Sequence, residues 1–266
     1  MRFILKLKAI KEKEFSYNYN FPLSGEINKL LGFNKPEFLD FLTKKGIKLS
    51  GRSFNLFTFA LSFENVFRRG KKLFLRSNNA SLSVSVPGIL DEYLNEFSLE
   101  SITGNHITIL KNYPNAILNI KHLIFLPEPE LKEEVSLVPV TPFVMTLRKN
   151  IGPKMMFVSL SYKDDPEEIA KHITDNLSYK YKTLYNENLK AGKFQIEWDK
   201  EFIAQRMKMG KKLTAKLSVE FGTKRNSIFG SMVPFTLKGN KELIKVGYEC
   251  GFGDMNSLGF GMTNII

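Results

Sequence analysis

An α+β chain of two ferredoxin-like (RRM-like) domains, each with an antiparallel sheet, is what this sequence predicts, and three observations carry the prediction. Strand and helix signals come in the order strand, helix, two strands, helix, strand. That order occurs twice. Between the two runs lies Leu126-Pro127-Glu128-Pro129-Glu130, the best candidate boundary in the chain. The domains so defined are residues 1–126 and 131–266, the second ending in a glycine-rich loop.

The first domain opens with a strand over residues 2–9, followed by a loop containing Tyr17, Tyr19 and Pro22. A broken helix comes next. Ile27, Leu30 and Leu31 have helical spacing up to Gly32, and Asn34, with Glu37 three residues on, caps a second piece whose one face is Phe38, Phe41 and Leu42, ending at Gly46. Lys44 and Lys45 suit the negative end of that helix. Residues 53–63 are rich in β-formers, and residues 81–86 alternate as a strand with one wet face should. Arg68-Arg69-Gly70-Lys71-Lys72 joins the two. Pro87 opens a helix bearing Leu90, Tyr93, Leu94 and Phe97, and strand-like residues return at 106–110 and 116–126.

The second domain repeats the pattern. Residues 135–147 and 155–161 supply strands; Asp165, Pro166 and Glu168 provide a cap, a first-turn proline and a capping-box acid for a helix through Ile169, Ile173, Leu177 and Tyr181, closed by Gly192. Residues 194–198, 213–221 and 227–237 read as strands. Asn240 caps a short helix, which feeds the glycine loop and a final strand at 262–265.

With 266 residues, of which 43% are hydrophobic and 12% aromatic, the chain has enough apolar material for real cores. Its one cysteine, Cys250, excludes an intramolecular disulfide, and no Cys/His spacing suggests zinc. No apolar run approaches the ~18 residues of a membrane span, so a soluble, cytoplasmic protein without membrane association is expected. The net charge of +12 is concentrated. Residues 42–76 hold nine basic side chains against Glu64, and residues 206–225 hold seven against Glu220, leaving the rest slightly acidic. A charged surface kept only for solubility would disperse its lysines; two patches, one per domain, favour a polyanion track.

Other chemistry is sparse. There is no phosphate-binding GxxxxGK[ST], no HExxH, no GxSxG elbow, and residues 69–75 lack the aromatic pattern of an RRM that reads bases on its sheet. His106, His122 and His172 sit where structural histidines are the commoner case. What stands out is the C-terminus, where Gly251-Phe252-Gly253 and Gly259-Phe260-Gly261 bracket Asp254-Met255-Asn256-Ser257-Leu258. Four glycines here either shape a loop whose amides face a phosphate-bearing ligand or make a tight turn into the last strand.

That loop resembles the one at the end of CRISPR precursor-RNA-processing endoribonucleases, members of the repeat-associated mysterious protein superfamily, in every glycine and both hydrophobic positions. The likeness continues in the short helix at 241–245 and in the N-terminal blocks Phe38-Leu39-Asp40-Phe41-Leu42 and Phe57-Thr58-Phe59. Two departures matter. The five-residue insert of the family commonly carries a lysine or arginine, and here it has none. Many members place a histidine near the end of the first helix, in a pattern like Phe-Leu-His-x-x-Gly, where this chain reads Phe41-Leu42-Thr43-Lys44-Lys45-Gly46, and a helix tyrosine of some members is absent, with Asn28 near its place.

The resemblance implies tandem ferredoxin-like domains, CRISPR repeat RNA as partner, no cofactor and no metal, and cleavage by the ribose 2′-OH, leaving a 2′,3′-cyclic phosphate and a 5′-OH. Threonine is far too weak an acid to replace imidazole, so the role cannot pass to Thr43. Lys45, Lys48 and Arg52 follow the helix and are the catalytic candidates, by stabilising the phosphorane or supplying a proton. RNA-binding candidates are Gly251, Gly253, Gly259 and Gly261 in the loop, and Arg206, Lys208, Lys211, Lys212, Lys224 and Arg225 in the second patch. Two alternatives stay open: a non-cleaving RNA-binding relative or subunit of a CRISPR effector ribonucleoprotein complex, and a scaffold or nucleotide-binding protein using the glycine loop.

Overall fold

A computed structural model describes residues 1–10, 14–32, 36, 56–70, 72–90, 106–108, 117–151, 154–189, 192–221 and 224–266. The first half runs β1 (Arg2–Ala9), β2 (Glu14–Ser16), α1 (Asn20–Leu30), β3 (Thr58–Phe63), β4 (Val66–Arg69), β5 (Lys72–Leu75), β6 (Asn79–Ser85), β7 (His106–Thr108) and β8 (Ile117–Leu126). Its main sheet has the order β3-β6-β1-β8-β7, every pair antiparallel. Alternation sets the register: Phe3, Leu5 and Leu7 oppose Val84, Leu82 and Ala80 on the buried face, so Lys6 and Lys8 are turned outward. Helix α1 starts at Asn20, earlier than the sequence signals suggest, because Pro22 falls in the first turn, where its missing N–H is no loss. The segment joining β3 to β6 is itself a hairpin, β4–β5, which with β2 makes a small second sheet. The helix expected after Pro87 is described only as a single turn at residues 88–90; the second piece of the broken helix and Tyr93, Leu94 and Phe97 lie outside the described residues.

The second half runs β9 (Glu134–Pro139), β10 (Met145–Ile151), β11 (Lys154–Leu160), α2 (Pro166–Tyr185), β12 (Gln195–Trp198), α3 (Lys200–Lys208), β13 (Thr214–Phe221), β14 (Lys224–Ser231), β15 (Phe235–Lys238), α4 (Lys241–Cys250), a 3₁₀ turn (Asn256–Leu258) and β16 (Thr263–Ile265). Its sheet order is β12-β15-β9-β16. Leaving out the edge strand β7 and the inserted hairpins, both halves place their first strand between the third and fourth with the second outermost, which is the ferredoxin-like order twice over.

Several expected elements differ in extent. The strand expected over 135–147 is two strands, broken where Phe143 instead pairs with Ser231, and that expected over 227–237 divides at Met232–Pro234 between a hairpin and the main sheet. Asp165 caps α2 as read, its carboxylate accepting from Glu167 N at 3.0 Å, but the helix is closed by Asn186 in the left-handed conformation, not by Gly192. Helix α3 has no counterpart among the sequence signals: Asp199 caps it, yet it buries no side chain, so it shows no apolar stripe.

Two apolar cores follow. Phe3, Leu5, Leu23, Ile27, Phe57, Phe59 and Leu82 centre the first; Leu137, Phe143, Ile173, Leu177, Phe235, Leu243 and Phe252 centre the second, joined by Leu56 from the first half. Among the described residues, no helix is long and apolar enough to cross a membrane.

Candidate nucleic-acid interface

Helix α4, its N-terminus held by Asn240 accepting from Glu242 N and Leu243 N, delivers the chain into the glycine loop. Gly251, Gly253, Gly259 and Gly261 all have positive φ, between +72° and +91°, and a Cβ on any of them would collide with a neighbouring atom, from within the loop at Gly251 and Gly261 and from elsewhere in the chain at Gly253 and Gly259. A Cβ on Gly253 would stand 2.2 Å from the Val144 carbonyl oxygen, one on Gly259 2.7 Å from the Phe59 ring, and one on Gly261 1.9 Å from the Phe252 carbonyl oxygen. Five loop amides are satisfied by the chain itself: Phe252 N donates to Gly261 O, Asp254 N to Val144 O, Leu258 N to Met255 O, Gly259 N to Asn256 O and Gly261 N to Pro142 O.

The loop is wrapped around a lysine that no sequence motif singles out. Lys180 projects from α2, and its Nζ donates to Gly251 O at 2.7 Å, Gly253 O at 2.8 Å and Asn256 Oδ1 at 2.7 Å, matching three donors to three acceptors. Asn256 Nδ2 then donates to Phe252 O and Phe260 O, tying the two glycine triplets together. Burial pushes the Lys180 pKa down to about 8, against the opposing pull of Cys250 and Asp254. A subtler signal was present in the sequence: Ile169, Ile173, Leu177, Lys180 and Leu184 share one helix face, and a lysine in an apolar stripe requires buried acceptors.

Asp254, the acid in the five-residue insert, points back into the protein. Its carboxylate accepts from Thr146 N at 2.7 Å, Thr146 Oγ1 at 2.8 Å and Asn176 Nδ2 at 3.1 Å. His172 Nε2 lies 3.3 Å from it, off the direction of a good hydrogen bond. Burial raises the Asp254 pKa, but His172 and the Thr146 donors outweigh it and hold the carboxyl below the ordinary aspartate range. His172 therefore belongs to the support of the loop.

First-half residues complete the setting. Thr58 Oγ1 donates to Phe260 O at 2.9 Å and Asn20 Nδ2 to Leu258 O at 2.6 Å. Arg2 reaches from β1 to Thr263 O and Tyr248 O at 2.8 and 2.9 Å, its guanidinium 3.8 Å from the centre of the Tyr248 ring. The loop thus lies where the two halves meet, held from both.

The cations of residues 206–225 sit on α3, in the turn that follows it and on the hairpin β13–β14. Arg206 Nη2 donates to Lys212 O at 2.9 Å and closes the turn after α3, leaving Lys208, Lys211 and Lys212 exposed. Lys216 Nζ is 5.7 Å from the centre of the Phe229 ring. Lys224 and Arg225 begin β14, in register with Phe221 and Glu220. At the other end of β14, Ile228 packs with Val144 and the loop's Phe260, which roots this hairpin on the glycine loop. From the first patch, Arg68, Arg69, Lys72 and Arg76 lie on or beside β4–β5. The catalytic candidates Lys45, Lys48 and Arg52, and Thr43, lie outside the described residues.

Residues 126–265 match the family described as CRISPR associated protein Cas6, C-terminal. The chain is 24% identical to a CRISPR-associated endoribonuclease Cas6 of Methanocaldococcus jannaschii over 99% of its own length and 92% of that protein's. It is 26% identical to the CRISPR-associated endoribonuclease Cas6 of Pyrococcus furiosus over 100% of its length and 90% of that relative. A solved structure described as an RAMP protein binding different RNA substrates shares the fold, with a TM-score of 0.74 at 21% identity, covering 100% of this chain and 99% of that one.

Proposed function

Because the chain belongs to the Cas6 family of CRISPR-associated proteins, we propose that it binds CRISPR repeat RNA and cleaves the precursor within its repeats without a metal ion. What carries the reading is the likeness, over nearly the whole of both chains, to two proteins named as Cas6 endoribonucleases. In the proposed reaction the ribose 2′-OH upstream of the scissile phosphate gives up its proton as its oxygen forms a bond to phosphorus, the bond from phosphorus to the 5′-oxygen breaks, and that oxygen takes a proton. The products are a 2′,3′-cyclic phosphate and a 5′-OH. Positioning of the 2′-OH in line and stabilisation of the phosphorane are the protein's tasks, and fixed cations suit the second.

We assign the cationic role to Lys45, Lys48 and Arg52, which follow the first helix in the chain. Lys180, for all its lowered pKa, is not a candidate, since its three donors are already committed to the loop. The test is to incubate purified protein with repeat RNA in EDTA and analyse the ends. Fragments with a cyclic phosphate support the reading; intact RNA retained by the protein supports the second reading, a non-cleaving RNA-binding relative or effector-complex subunit, which Thr43 in the usual histidine position favours. RNA left unbound overturns both.

A further inference from the structure

The hairpin β4–β5 is not part of the repeated ferredoxin-like order, and its two faces differ in kind. The inner face carries Leu73 and Leu75, buried in the first core, and Arg68, whose guanidinium stacks 3.8 Å from the centre of the Tyr17 ring while its Nε donates to Gly70 O. The register puts Phe67, Arg69, Lys72 and Phe74 on the other face. There Phe67 and Phe74 stack across the strands at 5.1 Å and 16°, and the Arg76 guanidinium lies 5.0 Å from the centre of the Phe67 ring. Phe67 remains 42% exposed, so the ladder of two rings and a guanidinium is open to solvent.

We propose that this outer face is a stacking platform for unpaired bases of RNA. The inference rests on the RNA-binding reading above and adds a subsite to it. Its hydrophobic anchoring is supplied by Leu73 and Leu75 on the inner side, so the fold does not require an aromatic at the exposed position 67. A cross-strand ring pair alone would steady a hairpin, but here the rings are flanked by Arg69 and Arg76, and Lys72 is drawn to Glu14 at the edge. Nearby, Glu64 is kept a carboxylate by the hydrogen bonds it accepts from Ser77 and Asn79, and Glu14 opposes Phe74 on this face. Arg69, Lys72 and Arg76 outnumber these two acids, so the surface offers π-faces within a net positive field, which suits a ligand that has planar rings strung on an anionic backbone. A purely acidic peptide would use the arginines and leave the rings without a role.

The experiment measures fluorescence anisotropy of the whole protein with a single-stranded oligoadenylate and with an abasic oligomer of equal length. Phe67→Leu keeps the apolar volume and removes the π-face; about a tenfold or greater loss of affinity for oligoadenylate is expected, with the abasic oligomer little changed. Phe67→Trp should restore binding, and its added emission should be quenched by oligoadenylate beyond any change at Trp198. Equal affinities of wild type and Phe67→Leu overturn the platform while leaving RNA binding and cleavage intact. A loss that is the same for both oligomers overturns it too, since the hairpin would then act through charge alone. Thermal melting of both variants checks that the hairpin has not been lost. If the wild-type protein holds neither oligoadenylate nor repeat RNA, the RNA-binding reading falls together with the platform.

Discussion

The ammonium of Lys180 lies 2.7 Å from the side-chain oxygen of Asn256, and the two residues form the hub of the glycine loop: one gathers Gly251 O and Gly253 O, the other Phe252 O and Phe260 O. Lys180→Met keeps the length of the stem but leaves three acceptors without their donors. Each buried unsatisfied acceptor costs ~1–3 kcal/mol, and partial relaxation brings the expected total to about 3 kcal/mol. Urea unfolding of the variant measures it. A loss below about 1 kcal/mol would show that the loop holds its shape without the ammonium.

The conformation of the glycines and the space around them can be separated by comparing two alanine variants. Gly210 has φ of +63° with nothing near its would-be Cβ, whereas Gly261 has φ of +72° with a carbonyl oxygen 1.9 Å away. Gly210→Ala should cost about 1 kcal/mol, the strain of the left-handed region alone. Gly261→Ala should cost about 3 kcal/mol or more, since backbone must also move. Equal losses in chemical denaturation would mean that close packing contributes nothing.

Acid sensitivity follows from Asp254. Its folded pKa is held below the ordinary value of 3.8, so its contribution to stability is complete above 3.8 and is lost as the pH falls further, through the folded value. The stability gap between wild type and Asp254→Asn should therefore be flat at neutral pH and close below pH 3.8. A gap that persists unchanged at lower pH would mean that the variant fails for loss of shape.

Local signals made much of this architecture legible. Asp165 and Asn240 were readable as caps because a cap acts within three residues, and the strands of Leu5 and Leu82 because alternation is visible in the sequence itself. Helix α3 was not, since a helix that buries nothing has no stripe to read. The glycine positions announced positive φ but not what fills the space beside them, because Phe59 and Val144 arrive from distant parts of the chain. Asp254 read only as a missing positive charge; its turn inward depends on Thr146 and Asn176, which no local pattern links to it.

On the surface, Lys211 and Lys212 follow α3, exposed, beside the hairpin rooted on the loop. Reversing both to Glu should weaken repeat-RNA binding and flatten its dependence on salt, by about 0.7 in log–log slope for each phosphate of single-stranded RNA that is no longer neutralised. Titrations at several salt concentrations report both quantities. An unchanged affinity would take residues 206–225 out of the RNA path.

The proposed chemistry makes its own demand on substrate and protein. A single 2′-deoxy substitution at the nucleotide upstream of the scissile phosphate removes the nucleophile, so cleavage should stop while binding persists. On the protein side, a cation that acts mainly on the phosphorane contributes more in the transition state than in the bound substrate. Lys48→Ala or Arg52→Ala should then lower the single-turnover rate by ~10²-fold or more with a much smaller loss of affinity. Thr43→Ala should change the rate little, because a hydroxyl of ordinary acidity neither holds nor gives a proton usefully near neutral pH. If Thr43→Ala abolished cleavage while Lys45, Lys48 and Arg52 could each become alanine without loss, the cationic site would be wrong and the reaction would have to be organised around the threonine.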